Sequence, residues 1–283
     1  MFSNYLFYVI LHLIFYTAYT YSYKVLALKM KSAEGLTILI NLVSALLNIL
    51  LIPFFKIKFP THFLVYLLLI LSCAFYSINN LFQTKVVKEL QMSSWSMLKQ
   101  VSNVILVFAG VLFLKEKFVL KKFIGALIII GSNILIFFQK DSSSNKKYIW
   151  LGFLASLFSA LAMLVDARIS GEFNIPFYSI FTFMIPSLMI VICTKITFKD
   201  IVYEFKISNK WMLILSCFFS VFAYLLKLYA YKIGEIMIVA PLCTLTVILN
   251  VIIGYLFLHE RDNLFKKLLS SILIIIGIIL IKL

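Results

Sequence analysis

Charge is scarce in this chain. Of 283 residues only 13% are charged, while 63% are hydrophobic, and the mean hydropathy is +1.07. A soluble domain is typically about a quarter charged and half apolar, so too few polar residues are present here to coat a water-facing surface. That excludes an ordinary soluble domain. Acidic residues are scarcer still, 11 Asp and Glu against 26 Lys and Arg, a formal charge of +15. In a soluble protein such an excess would suggest nucleic acid. Here the basic residues stand in small groups between apolar runs, as in Lys29/Lys31, Lys56/Lys58, Lys85/Lys88, Lys121/Lys122, Lys146/Lys147 and Lys266/Lys267. That pattern suits helix ends meeting lipid headgroups, so no nucleic-acid partner is expected. The chain has only four cysteines, Cys73, Cys193, Cys217 and Cys243, all in apolar stretches, without a CxxC or a neighbouring His. They read as buried small hydrophobes, which excludes a disulfide framework or a zinc site. Glycine is also sparse, at nine residues, leaving few positions for very close helix contacts.

Catalytic signatures are missing too. No HExxH, no GxSxG and no phosphate-binding glycine loop occurs, and His12, His62 and His259 lie far apart. Nothing implies a cofactor or a metal. A membrane-embedded enzyme, the second function considered, would need a nucleophile, a base or a metal cluster that local spacing does not supply.

What is present is a series of apolar runs. A spanning helix needs about 20 apolar residues in succession, and runs bounded by charge or turn signals fall near 4–24, 35–55, 62–84, 93–114 and 118–138, then 148–170, 175–196, 210–231, 236–258 and 264–282. The first lacks a positive n-region and a small-residue cleavage site, so it is expected to be retained as a helix. Between the two sets lies a polar, turn-forming segment, QKDSSSNKK at 139–147. The expected organisation is therefore a first five-helix repeat at 1–138, a polar linker at 139–147 and a second five-helix repeat at 148–283.

The word repeat rests on matched residues. FLKEK at 113–117 recurs as FLHER at 257–261, and the 144-residue offset from Glu116 to Glu260 also relates Gly110 to Gly254 and Lys24 to Arg168. GALIIIG at 125–131 matches SILIIIG at 271–277 after a two-residue insertion. Internal repetition of this kind governs the whole architecture. Because each half has an odd number of spans, the second must enter the bilayer from the opposite side. The fold class expected is an all-α integral membrane protein of ten transmembrane helices in two inverted five-helix repeats, a recurrent design of secondary transporters.

These features carry a resemblance. The paired FLxE turns at Glu116 and Glu260, the lone basic residues Lys24 and Arg168 closing the first helix of each half, and VAPL at 239–242 make the chain resemble the drug/metabolite transporter superfamily. The likeness is to its EamA-type ten-helix members and extends over the full length. It implies exporters or exchangers of metabolites by alternating access, with a central cavity between the halves, in a bacterial plasma (inner) membrane. The partners it implies are a small-molecule substrate and membrane lipid, with a monomeric assembly.

Polar side chains within the spans are the candidate site, because a charge at mid-bilayer costs at least ~2.5–3.5 kcal/mol on insertion scales. Ser96, Lys99, Gln100 and Asn103 share one face of the fourth helix at i, i+3, i+4 and i+7. Tyr76, Asn79, Asn80 and Gln83 share a face of the third, and Tyr224, Lys227 and Tyr231 one of the eighth. The third and eighth helices occupy matching places in the repeat, so these faces are expected to look at each other. Asn41, Ser44 and Asn48, with Thr246 and Asn250, are expected to hydrogen-bond between helices. Asp166 stands alone as an acid well inside a span; it reads either as a proton relay or as a counter-ion to Lys99 or Lys227. The glutamates of the FLxE turns read as caps of the helix that follows or partners of loop lysines. Trp95, Trp150 and Trp211 each open a span, as interfacial anchors do. Pro186 is expected to kink the seventh span.

The leading reading is a secondary transporter of a small polar metabolite. Two intramembrane lysines against one carboxylate favour an anionic or zwitterionic solute, whereas Tyr16, Tyr19, Tyr76 and Tyr224 could hold aromatic or quaternary-ammonium groups through their ring faces. A flippase for a lipid-linked sugar shares the fold class and would need a lateral opening to lipid. If both termini lie on the cytoplasmic side, nine basic residues fall at that face and fifteen at the other, which opposes the usual positive-inside bias.

Overall fold

Apolar runs that cannot be hydrated must pair every backbone group internally, and the helix does so within a single segment. The computed structural model describes residues 4–113, 119–137, 146–260 and 264–282, and it is all-helical over them. The helices are α1 (Asn4–Lys29), α2 (Ala33–Leu51), α3 (Phe63–Glu89), α4 (Met92–Phe113), α5 (Leu120–Phe137) and α6 (Lys146–Ile169). They continue with α7 (Ile175–Cys193), α8 (Phe198–Ile207), α9 (Lys210–Ile233), α10 (Ile236–Cys243), α11 (Thr246–Phe257) and α12 (Leu264–Lys282). Caps set several starts. The Ser32 hydroxyl accepts from Gly35 N at 3.0 Å, and Asn209 Oδ1 accepts from Met212 N at 3.1 Å. Hydroxyls inside the apolar helices turn back on their own backbone, as Thr17 does to the Leu13 carbonyl at 2.7 Å.

Ten crossings were expected. Among the described residues, seven segments are long and apolar enough to cross a bilayer: Ala33–Phe54, Phe63–Glu89, Met92–Phe113, Lys146–Glu172, Ile175–Cys193, Lys210–Ile233 and Ile238–Phe257. The 26-residue α1 is long enough but interleaves tyrosines with His12, Thr17, Thr20 and Lys24, which lowers its hydropathy. The outer surface agrees with a lipid environment. Leu50 (68% exposed), Ile192 (82%) and Phe265 (79%) belong to an extensive exposed apolar surface that water would penalise.

Two elements differ from expectation. A ten-residue amphipathic helix, α8, occupies what read as a loop. The ninth span is broken into α10 and α11, with Thr244 and Leu245 between them. Pro241 supplies no N–H, the Thr244 and Leu245 amides donate three residues back to the Pro241 and Leu242 carbonyls at 2.9 and 3.2 Å, and the Thr244 and Thr246 hydroxyls bond to the Pro241 and Cys243 carbonyls at 2.6 and 2.8 Å, so the α-helical ladder is interrupted by a tighter turn within one span. Pro186, by contrast, lies within an unbroken α7.

The helices of the two halves interlock. α1 packs on α9, α2 on α7, α3 on α6, α5 on α12, and α4 on α6, α10 and α11. Exchanging each helix for its repeat counterpart turns the α1–α9 contact into that of α6 with α3, and returns α2–α7 and α5–α12 to themselves. At one end of the bundle, Lys24 Nζ donates to the Val87 and Leu90 carbonyls, both at 2.7 Å, joining the C-terminal part of α1 to the end of α3. A Cβ on Gly152, near the start of α6, would meet Leu98 Cδ1 at 2.8 Å and Val86 Cγ1 at 3.5 Å. The start of α6 therefore lies at the end where α1 finishes.

Glu260 corrects another expectation. Its carboxylate reaches a helix that was not expected, accepting from Met92 N (2.5 Å), Ser93 N (3.1 Å) and the Ser93 hydroxyl (2.5 Å) and so capping α4 in the other half. The turn that delivers it holds His259 at φ 55°, with Leu258 N and Glu260 N both donating to the Gly254 carbonyl. Glu116 lies outside the described residues. Two smaller corrections concern burial. Trp150 and Trp211 are exposed as anchors should be, but Trp95 is 2% exposed and packs inside; Cys193 is exposed where the other three cysteines are buried.

Candidate functional site

Side chains from both halves converge on a cavity of about 990 Å³, its open part included. It sits at mid-height, because each helix contributes residues near its own middle: His12, Tyr16 and Tyr19 from α1, Asn41 from α2, Ser159 and Met163 from α6, Thr182 and Phe183 from α7. Cys243 and Thr246 reach it from the break between α10 and α11. An interrupted helix at the bilayer midplane is where transporters commonly place polar backbone against a cavity.

Of the residues singled out in the sequence, Tyr76, Asn79, Asn80, Gln83, Lys99, Gln100, Asn103, Tyr224 and Lys227 all line this space. Ser96 does not. Its hydroxyl accepts from Asn250 Nδ2 at 2.6 Å, tying α4 to α11 beside the cavity. The polar faces of α3 and α9 do meet, with the Tyr76 and Tyr224 rings edge to face at 6.1 Å. Much of the amide chemistry is locally paired. Gln100 Nε2 donates to the Ser96 carbonyl, Asn103 Nδ2 to Gln100 Oε1, and Gln83 Nε2 to the Tyr19 hydroxyl at 3.2 Å. Asn41 is different: its Nδ2 is buried on the cavity wall and has no hydrogen-bond partner among the described residues. Asn48 instead accepts from the Ser179 hydroxyl, joining α2 to α7.

The two lysines carry the electrostatics. Lys99 Nζ donates to Ser159 Oγ at 2.9 Å and Asn79 Oδ1 at 3.2 Å, and lies 5.5 Å above the Trp95 ring. Lys227 Nζ lies 5.6 Å above the Tyr231 ring. Among the described residues the one ion pair within 4 Å joins Lys85 to Glu34, so neither cavity lysine touches a carboxylate. A cation held only by neutral dipoles in low dielectric is an attractive site for a negative group.

Asp166, read from the sequence as a proton relay or a counter-ion to Lys99 or Lys227, makes its direct contacts with hydroxyls. It is fully buried, and it accepts four hydroxyl hydrogen bonds: Ser72 (2.5 Å) and Tyr178 (2.6 Å) on Oδ1, Tyr76 (2.7 Å) and Tyr224 (2.6 Å) on Oδ2. The carboxylate thus binds α3, α6, α7 and α9 together without touching a lysine. It stands one side chain behind the cavity wall, since Tyr76 and Tyr224 line the cavity with their rings and give their protons to Asp166. The remaining lone pairs of those phenols are enriched in negative charge by the acid behind them.

Sequence reasoning missed Ser72 and Tyr178 as partners of Asp166. It also missed His12, Ser159, Thr182, Ser220 and Cys243 as cavity residues. Ser72 had a signal, standing four residues before Tyr76 on the same helical face. Tyr178 had none, because its approach to Asp166 depends on how α7 packs. Among the described residues no group of three or more His, Cys, Asp and Glu is placed to hold a metal ion.

A helical bundle with an apolar exterior and a polar chamber at mid-height, built from both halves of one chain, defines a multi-pass integral membrane protein of the transporter class. The model of the EamA-like transporter family matches residues 3–138 and again residues 146–283, and the chain belongs to that family. It is accordingly a membrane transporter of small substrates, of a family that is not enzymatic. A crystal structure 12% identical in sequence superposes with a TM-score of 0.67 over 98% of this chain and 96% of the other, a likeness that shows the fold. No curated protein sequence matches this one.

Proposed function

We propose that the protein is a secondary carrier of a small polar metabolite bearing a carboxylate or another anionic group, working by alternating access as an exporter or exchanger in a bacterial plasma membrane. The observation that carries this reading is the pair Lys99 and Lys227 on the wall of a mid-height cavity, with no carboxylate in contact among the described residues. Ten crossings in two inverted repeats supply the mechanism. Support comes from the start of α6 sharing an end of the bundle with the finish of α1, and from helix contacts that interchange when the halves are exchanged. Asn41 Nδ2, a buried donor with no protein partner among the described residues, would donate to a substrate oxygen. The Tyr76 and Tyr224 oxygens, backed by Asp166, would take a substrate N–H, which makes a zwitterion the best fit to both walls.

Proteoliposomes loaded with candidate solutes test this. Anionic and zwitterionic solutes are expected to move and to exchange across the membrane. Lys99→Met or Lys227→Met should raise KM about tenfold or more, as loss of a charge-assisted contact of roughly 1.5–3 kcal/mol requires. A preference for organic cations that survives the loss of both lysines would overturn the reading.

A further inference from the structure

The connection between α7 and α9 is not a passive loop. α8 is ten residues long, about 15 Å, and cannot cross a bilayer. It joins two helices that can, so it lies at the membrane surface. Its start is fixed by a capping box in which Thr197 N donates to Asp200 Oδ2 at 2.8 Å and the Thr197 side chain accepts from Asp200 N. Its flank is fixed by Glu204, which accepts from Lys31 N at 2.8 Å and Ser32 N at 2.6 Å and so caps α2. A Cβ on Gly35 would meet Glu204 Cγ at 2.8 Å, so this docking depends on glycine at that point.

Two stripes remain on the outer side of α8. Phe198, Val202 and Phe205 follow one another at i, i+4 and i+7, with Phe198 78% exposed and Phe205 44%. Lys199, Tyr203 and Lys206 form the adjacent stripe at the same spacing, about 100° round the helix. Of the two acids of α8, Glu204 is buried and spent on α2, whereas Asp200 is exposed and tied into the capping box, where the Thr197 hydroxyl and then its backbone N–H hold the carboxyl below its ordinary range. Against that one exposed carboxylate stand Lys199 and Lys206 with Lys195 just before them, all exposed, so the outward charge is net positive. An apolar stripe beside a lysine stripe, in a helix parallel to the bilayer, is the pattern of an interfacial helix.

We propose that α8 is an in-plane helix that binds anionic phospholipid headgroups through Lys199 and Lys206 while Phe198 and Phe205 enter the acyl region. Because Glu204 joins α8 to the first turn of α2, headgroup binding stabilises a helix that lines the cavity. The proposal does not depend on the identity of the transported solute.

Thermal unfolding of the purified full-length protein in mixed micelles tests it, with phosphatidylglycerol titrated against phosphatidylcholine. Phosphatidylglycerol should raise Tm saturably, and phosphatidylcholine should not. A Lys199→Gln/Lys206→Gln variant should keep its Tm in phosphatidylcholine but need about tenfold or more phosphatidylglycerol for the same shift, from the electrostatic contribution of each lysine near an anionic surface. Lys56→Gln/Lys58→Gln should retain the full shift. Phe198→Trp and Phe205→Trp should each gain an emission component quenched by acyl-brominated lipid, a readout that leaves the lysines in place. Equal shifts with both lipids, an unchanged titration in the α8 double variant, equal loss in the Lys56/Lys58 control, a shift from inorganic phosphate alone, or added tryptophan emission that resists quenching would each overturn the proposal.

Discussion

At the scale of single residues, Asp166 is the side chain with most at stake. A carboxylate offers about four acceptor directions, and here four hydroxyls from three other helices fill them. Asp166→Asn would replace one acceptor oxygen by an NH2 group facing two hydroxyl donors. Each stranded group costs about 1–3 kcal/mol, so a drop in Tm of many degrees is expected along with loss of transport. Tyr178→Phe removes one bond and should be milder, near 1.5–3 kcal/mol. Thermal unfolding of both variants checks the ordering; an Asp166→Asn protein no less stable than Tyr178→Phe would refute the four-hydroxyl network. The sequence made Asp166 conspicuous but did not reveal the hydroxyls that surround it. Spacing along one helix brings Tyr76 and Asn79, or Lys99 and Asn103, to a common face, and those stripes do line the cavity. It says nothing about which residue of α7 approaches α6, so Tyr178 could not be read, and Ser96 was drawn off the cavity by a partner on α11.

At the scale of elements, helix ends are tied by side chains from distant parts of the chain. Glu260 holds the first amides of α4, and Gly254 makes room for it, since an added Cβ would meet Glu260 Oε2 at 2.7 Å. The atom in the way is the far end of a side chain, so Gly254→Ala should displace the carboxylate rather than distort the helix. Expected consequences have opposite signs in two backgrounds. Alone, Gly254→Ala should destabilise by about 0.5–2 kcal/mol through the lost cap. In a Glu260→Ala background it should be neutral or stabilising by up to about 1 kcal/mol, because alanine is the better helix former. Tm values for the four proteins of that cycle decide it, and simple additivity would contradict the shared mechanism. The repeat exposed Glu260 as a marked residue, yet its partner lay 168 residues away and was out of reach of any local rule. α8 was legible in principle: Thr197 and Asp200 have capping-box spacing and Phe198, Val202 and Phe205 have helical period. Its mixed polarity between two strongly apolar runs made it read as a connection. Pro241 stood in the ninth span as a visible helix breaker, but the interruption falls at Thr244 and Leu245, beyond it.

At the scale of the molecule, the repeat and the site are one fact. Helices that follow one another in sequence are not the principal partners of one another; α1 lies on α9, α2 on α7, α3 on α6 and α5 on α12, so each half buries its apolar and polar faces chiefly against the other. The cavity lysines divide likewise, Lys99 from the first half and Lys227 from the second. A half on its own would leave the buried hydroxyls of Ser72 and Tyr76 without Asp166, or Asp166 without two of its four donors, in a medium that supplies no substitute hydrogen bonds. Residues 1–138 or 148–283 expressed alone should therefore be degraded or aggregate. Co-expressed as two chains, they should copurify through detergent extraction and recover transport. Copurification by an affinity tag on one fragment, together with solute exchange in proteoliposomes, measures both parts of the expectation. A single fragment that is stable and active as a homodimer would show that the halves are self-sufficient units, contrary to the interlocked packing on which the shared chamber depends.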